Sequence, residues 1–287
     1  MSRAELEPLV FEAFPRETAS ALMALARPAI RLWAQPLGRA SDLGSRFGGL
    51  PIVSKNWEWP TTEVWPKSAG LEFLNKSPAE RGPMPQEPKW FLGQINCADL
   101  RGLHTAEDLL PPAGVFSFFG DGDLVTGCMG SWETGNLYFF SGDHLKRAAE
   151  PIEDFKTLPT CGLAFSEAID LPDPFSRAIE HLALDKPLWD RYFDLREKVS
   201  KHGVEVERYG TLDHSKLFGW PDLIQRDLEA FADEDDAKER LLLQIGNYDN
   251  GIERWSWGPG GLVYFALSET AFNQGDCDAC RCEMQCT

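Results

Sequence analysis

SRFGGLP at residues 45–51 returns as SKLFGWP at 215–221, with Ser, a basic residue, a Gly and a Pro in register. The echo continues downstream in the same order. FLGQI at 91–95 faces LLLQI at 241–245, placing Gln94 opposite Gln244, and each block is followed by Gly and an aromatic β-like run, GVFSFF (114–119) against GLVYFA (261–266). Three blocks recurring in order predict a duplicated unit. The expected fold class is therefore α+β: a β-rich single domain built from two similar halves, about 41–150 and 211–287.

Helices are expected outside these halves. ETASALMALARPAIRLW (17–33) carries apolar residues at helical spacing behind an acidic, hydroxyl-bearing start, and predicts an N-terminal amphipathic helix that Pro28 kinks or interrupts. Between the halves, 173–203 reads as a helical connector, with RAIEHLAL followed by LWDRYFDLREKVSKHG and a stop at Gly203. A short helix is expected to begin near Pro221, and NLYFF (136–140) reads as a further strand.

With 287 residues and 43% hydrophobic side chains, the chain is long enough to bury a sizeable core. Its net charge of −17 argues against a nucleic-acid partner, because phosphate neutralisation needs clustered Lys and Arg. No cationic, apolar leader opens the sequence, and no window approaches the ~18 apolar residues of a membrane span. Seven cysteines, with Cys97, Cys128 and Cys161 scattered singly, do not read as a disulfide framework. A reducing cytoplasm is the expected compartment, without a membrane association.

The repeated blocks also carry a resemblance. SRFGGLP, WEWP (57–60), LGQIN (92–96), HSKLFGWPDLIQ (214–225), LLLQI, WGPGGLVYF (257–265) and the terminal MQC (284–286), taken in that order, resemble the YwqG-like family of bacterial proteins, a domain of unknown function. The resemblance covers about residues 30–287 and implies an α+β fold with an internal duplication and no established activity. It also implies a Gly where this chain has Phe218, and it offers no parallel for the cysteine-rich approach to the end.

Two adjacent glycines before a proline predict a tight turn at Phe47–Pro51 that exposes main-chain N–H groups. Arg46, Gly48 and Gly49 in the first loop, with His214, Lys216 and Trp220 in the second, form a candidate anion cradle if the two loops approach one another. The same residues equally serve plain strand-to-turn geometry. Ten tryptophans include the alternating pairs Trp57/Trp59 and Trp255/Trp257, each expected on one face of a strand as core, or as the lining of a ligand cleft. Of the five histidines, only His214 adjoins a repeated block; its counterpart in the first half is Gly44. No nucleophile elbow, zincin helix or paired-carboxylate signature emerges.

CDACRCEMQC (277–286) holds four of the seven cysteines. Cys277 and Cys280 have the spacing of a metal clip that Cys282 can join. In a strand, Cys282 and Cys286 stand about 13 Å apart, too far to share one ion; with a frayed strand Cys286 becomes a fourth zinc ligand. A redox-active Cys277/Cys280 pair and an inert strand end are the other readings. No cofactor besides this zinc is expected.

Two functional classes fit. One is a cytoplasmic interaction module of immunity type, whose acidic surface engages a basic protein partner. The other is a small-molecule or anion site, or an enzyme, in a cleft between the halves using Arg46, Lys216 and His214.

Overall fold

The computed structural model of the chain describes residues 1–36, 43–64, 82–121, 137–142, 144–201, 209–225, 228 and 239–287. Ten strands form one sheet: β1 (Arg27–Gln35), β2 (Arg46–Phe47), β3 (Trp90–Asn96), β4 (Val115–Gly120), β5 (Leu137–Phe140), β6 (Cys161–Asp170), β7 (Lys216–Phe218), β8 (Glu239–Ile245), β9 (Leu262–Ser268) and β10 (Arg281–Gln285). Their order is β10-β9-β8-β7-β1-β6-β2-β3-β4-β5, and every neighbouring pair is antiparallel. The long β1–β6 pair is the centre, running in register from Arg27↔Asp170 to Gln35↔Gly162. On one side of it lie β2 to β5 in sequence order; on the other lie β7 to β10 in the same order.

Local details repeat across this centre. The β3–β4 register slips between Phe91 and Gly93, and the β8–β9 register slips between Leu241 and Leu243, at matching positions of FLGQI and LLLQI. Gly48 and Gly49 take φ of 68° and 73°; Phe218 and Gly219 take 60° and 76°. Asn96 N–H donates to Ser45 Oγ at 2.9 Å, and Gly246 N–H donates to Ser215 Oγ at 2.9 Å. Gln94 Oε1 accepts from Ile52 N–H at 3.0 Å, and Gln244 Oε1 accepts from Asp222 N–H at 2.9 Å. The expected mixed fold is present, with the strands anticipated at 90–95, 114–119, 136–140, 241–245 and 261–267 in place.

Among the described residues the helices are α1 (Arg3–Ala13), α2 (Arg16–Leu25), α3 (His104–Leu109), α4 (Arg177–Glu180), α5 (Lys186–Lys201) and α6 (Glu269–Gln274). The N-terminal helix expected over 17–33 ends at Leu25, and the rest of that stretch is the central strand β1. Pro28 decides against the helix because it lacks an amide donor and clashes with the preceding turn. It is tolerated near the start of β1, where pairing with β7 has not yet begun; that pairing starts at Ala29. Period-two alternation follows: Ile30, Leu32 and Ala34 enter the main core, while Arg31 and Trp33 take the other face.

A second, smaller core gathers Leu6 and Val10 of α1, Leu22 of α2, Leu171, Ile179, and Tyr192, Leu195 and Val199 of α5. Arg31 Nη2 donates to the Val199 carbonyl at 2.6 Å, so α5 is tied to the face of the sheet opposite the main core. The connector therefore forms the expected helices, with Gly203 outside the described residues. The helix expected from Pro221 is absent over 221–225. Trp255 and Trp257 are core, but Trp57 and Trp59 lie outside any strand and meet edge-on at 5.6 Å. No helix among the described residues is long and apolar enough to cross a membrane.

Candidate functional site

The second repeated loop is built around Gln244. Its amide donates to the His214 carbonyl and to Asp222 Oδ2 at 2.8 Å, while its oxygen accepts from Asp222 N–H. This buried side chain fixes both ends of the loop against β8. Asp222 is thereby aimed at β7, and Lys216 Nζ reaches its Oδ1 at 3.0 Å and Asp170 Oδ2, from the end of β6, at 2.8 Å. Arg196 of α5 completes the group, with Nη2 on Asp222 Oδ1 and 3.3 Å from Asp170 Oδ1.

Two cations and two carboxylates thus close a ring across β6, α5 and the β7 loop. All four are largely withdrawn from water, with side-chain exposures of 9% for Lys216, Asp170 and Arg196 and 19% for Asp222. Burial opposes a charge on Asp222, but Lys216, Arg196 and His214 outweigh it and hold its carboxyl well below the usual range. Burial likewise works against Arg196, and Asp170 with Asp222 more than offsets it. Further donors reach the Asp170 carboxylate, Trp220 N–H and Leu171 N–H both at 3.0 Å, and Tyr264 Oη holds the main chain of the loop by donating to the Asp222 carbonyl at 2.7 Å. The Nε of Arg196 is buried with no acceptor among the described residues.

Above this ring lies an open cleft of about 240 Å³ between β1, β6, α5 and the β7 loop. Ala29, Trp33, Ala168 and Ile169 give it an apolar wall. Arg31, Arg196, Lys201 and Lys216 line it against Asp170, Asp213 and Asp222, so it carries a surplus of positive charge on a chain of net −17. His214 stands at the rim with 61% of its side chain exposed and Nδ1 3.4 Å from Asp222 Oδ2. The interaction with Asp222 raises its pKa above the ordinary 6.5, against the effect of burial.

Of the expected cradle residues, His214 and Lys216 meet in this cleft and the others do not line it. Arg46 and Lys216 stand on β2 and β7, with β1 and β6 between them, a lateral separation of roughly 14 Å at ~4.8 Å per strand. Arg46 is instead turned onto its own loop, donating to the carbonyls of Gly44 and Leu50. The N–H groups of Gly48 and Gly49 are spent on the Leu92 and Leu158 carbonyls at 2.9 and 3.0 Å. Trp220 donates to the Leu25 carbonyl and carries the Arg27 guanidinium 3.5 Å above its ring.

Sequence reading missed Asp222, Asp170, Arg196 and Arg31. Asp222 was within reach, because aligning the repeated loops sets it opposite Ile52, a carboxylate against an aliphatic side chain at the same hydrogen-bonded position. Asp170 and Arg196 have no local signal; they come from a strand and a helix that only the fold brings to the loop.

Cys277 sits on a 3-10 turn, half-buried, its thiol pushed up to about 11 by burial and then by Asp278 and Asp276. Cys280 is buried beside it, Cys282 is buried on β10 opposite Phe265, and Cys286 packs by Gly258. No group of three or more His, Cys, Asp or Glu among the described residues is arranged to hold a metal ion.

No curated protein matches this chain. A family model described as a domain of unknown function, DUF1963, matches residues 45–286, from the first repeated loop through the last strand. Both loops and every strand of the sheet except β1 fall within that span, and the chain belongs to the DUF1963 family.

Proposed function

We propose that the protein binds a small organic anion in the cleft beside the Lys216–Asp222–Arg196–Asp170 ring, and that the chain is an internal duplication whose second half contributes His214, Lys216 and Asp222 to the site. The observation that carries the binding reading is the positive lining of this cleft on a strongly acidic chain, with an apolar wall alongside. Clefts that combine apolar walls with a few convergent polar groups are the usual seat of small ligands. At 240 Å³ the cleft lies below the ~300–1,000 Å³ of drug-sized sites, which favours a compact ligand.

The duplication reading rests on the strand order either side of β1–β6, the matching positive φ angles and the paired Gln94/Gln244 and Ser45/Ser215 hydrogen bonds. The two loops differ in chemistry: the first folds its cation onto its own carbonyls, while the second turns its cation to carboxylates and faces the cleft. A surface for a basic partner remains supported by net charge alone, which points to no particular residues.

Thermal unfolding in the presence of benzoate, phenyl phosphate and the neutral benzyl alcohol tests the binding reading. A ligand at ten times its Kd stabilises by about 1.4 kcal/mol, a rise of roughly 3 °C in a domain of this size. The acids are expected to produce that rise and the alcohol not. In the double variant Arg31→Met, Lys201→Ala the rise is expected to vanish. Equal shifts from acid and alcohol, or no shift from either acid, sink the reading.

A further inference from the structure

We propose that His214 is the proton-controlled anchor of this cleft, gripping an oxyanion end of the ligand when its imidazole is protonated and releasing it when neutral. The proposal rests on the anion reading above and adds which group holds the charge and what switches it.

The backbone points to this residue first. His214 takes φ of 53°, the left-handed region that costs a non-glycine residue about 1–3 kcal/mol and persists only where the surroundings impose it. They do so here: the His214 carbonyl accepts from Gln244, Asp213 N–H donates to the Asn247 carbonyl at 3.1 Å, and Ser215 Oγ holds Gly246 N–H. The strained backbone sets the ring at the rim of the cleft. The corresponding residue of the first loop is Gly44, so no equivalent group exists there.

The ring's two nitrogens have different duties. Nδ1 faces Asp222 Oδ2 at 3.4 Å, and Asp222 is itself held by Lys216, Arg196 and Gln244. Nε2 has no partner among the described residues. A neutral imidazole that keeps its proton on Nδ1 presents a lone pair at Nε2, which repels an oxyanion; the imidazolium presents a donor and a positive charge. One proton therefore turns the exposed nitrogen from repelling to binding.

The neighbours bias this equilibrium in known directions. Asp222 and Asp213 favour the cation and Lys216 disfavours it, with burial also opposing. Across the cleft stand Arg31 on β1, Asp170 on β6, and Arg196 and Lys201 on α5. With Asp222 as the strongest influence, the switch lies above the ordinary histidine value of 6.5. A bound oxyanion adds another negative charge beside the ring, so ligand and proton uptake are coupled reciprocally.

Sulfate is a suitable probe because it remains a dianion across the neutral range, so any pH response belongs to the protein. Isothermal titration of the whole chain with sulfate at pH 6 and pH 9 is expected to show binding at least tenfold weaker at the higher pH. His214→Asn, which tolerates the left-handed backbone, is expected to bind weakly at both pH values. His214→Lys, permanently charged over this range, is expected to bind at both. Circular dichroism confirms that each variant is folded. Sulfate binding that is equal at the two pH values in the wild type overturns the switch and leaves the anion site standing. A pH response retained in His214→Asn overturns the assignment to His214. No sulfate binding at either pH overturns the anchor, and the independent response to benzoate and phenyl phosphate shows whether the anion reading falls with it.

Discussion

At the scale of single residues, the two repeated loops solve one backbone problem with different side chains. Both need a left-handed residue where the short strand ends, met by Gly48 just after β2 in one and by Phe218, the last residue of β7, in the other. Glycine pays no steric penalty there, whereas a Cβ on Gly48 would lie 2.1 Å from the Pro159 carbonyl oxygen. Phe218 accepts the strain because its ring is buried and meets Phe272 edge-on at 6.3 Å. In urea unfolding, Gly48→Ala is expected to cost more than about 2 kcal/mol, combining left-handed strain with the clash. Phe218→Gly relieves strain but loses a buried ring, a net destabilisation of about 2–4 kcal/mol. A stabilised Phe218→Gly would show that the ring contributes less than the strain it imposes. The SRFGGLP stretch announced its turn plainly; that Phe could occupy the same conformation was hidden, because its support is a distant aromatic residue.

At the scale of elements, two buried glutamines pin the loops to the sheet. Gln94 accepts from Ile52 N–H and donates to the Gly44 carbonyl at 2.9 Å; Gln244 does the same for Asp222 and His214 and also donates to the Asp222 carboxylate. Each Gln→Leu change leaves a buried donor and acceptor unmet, at about 1–3 kcal/mol. Gln244→Leu is expected to cost more than Gln94→Leu by about 1 kcal/mol, since a bond to a charged acceptor is the stronger kind. Urea midpoints of the two variants decide this, and equal losses would mean the carboxylate bond adds nothing. The glutamines were legible as aligned positions in FLGQI and LLLQI. β1 was not, because ALMALARPAIRLW carries helical spacing in its first half and strand alternation in its second, and only Pro28 marks the change.

At the scale of the molecule, the charged ring is a tie between layers. Asp170 ends β6, Arg196 comes from α5 above the sheet, and Lys216 with Asp222 comes from the β7 loop. Removing one member leaves buried charge uncompensated, so Asp222→Asn is expected to cost about 3–5 kcal/mol at pH 7. The Asp222 pKa is lowered in the folded protein, so its contribution is fully present above the ordinary 3.8 and is lost as pH falls through the lower folded value. The gap between wild type and Asp222→Asn in urea unfolding is therefore expected to narrow below pH 3.8. A gap that stays constant between pH 7 and pH 3 would refute the ion-pair origin. His214 acts in the opposite sense: its pKa is raised, and its contribution is complete below 6.5 and lost as pH rises through the folded value.

The sequence by itself determined the mixed fold class, the strands at 90–95, 114–119, 136–140, 241–245 and 261–267, the turn after Phe47 and the helices of the connector. These are written in short-range patterns: alternation, glycine and proline chemistry, and blocks repeated in order. Only the tertiary structure decided that β1 and β6 pair at the centre, that Arg46 and Lys216 lie on opposite sides of them, and that Asp170 and Arg196 meet the second loop. The reason is physical. A turn is specified by the few residues that form it, whereas a buried charge can be placed only where the fold brings its partners, here from positions 170, 196, 216 and 222 of the chain.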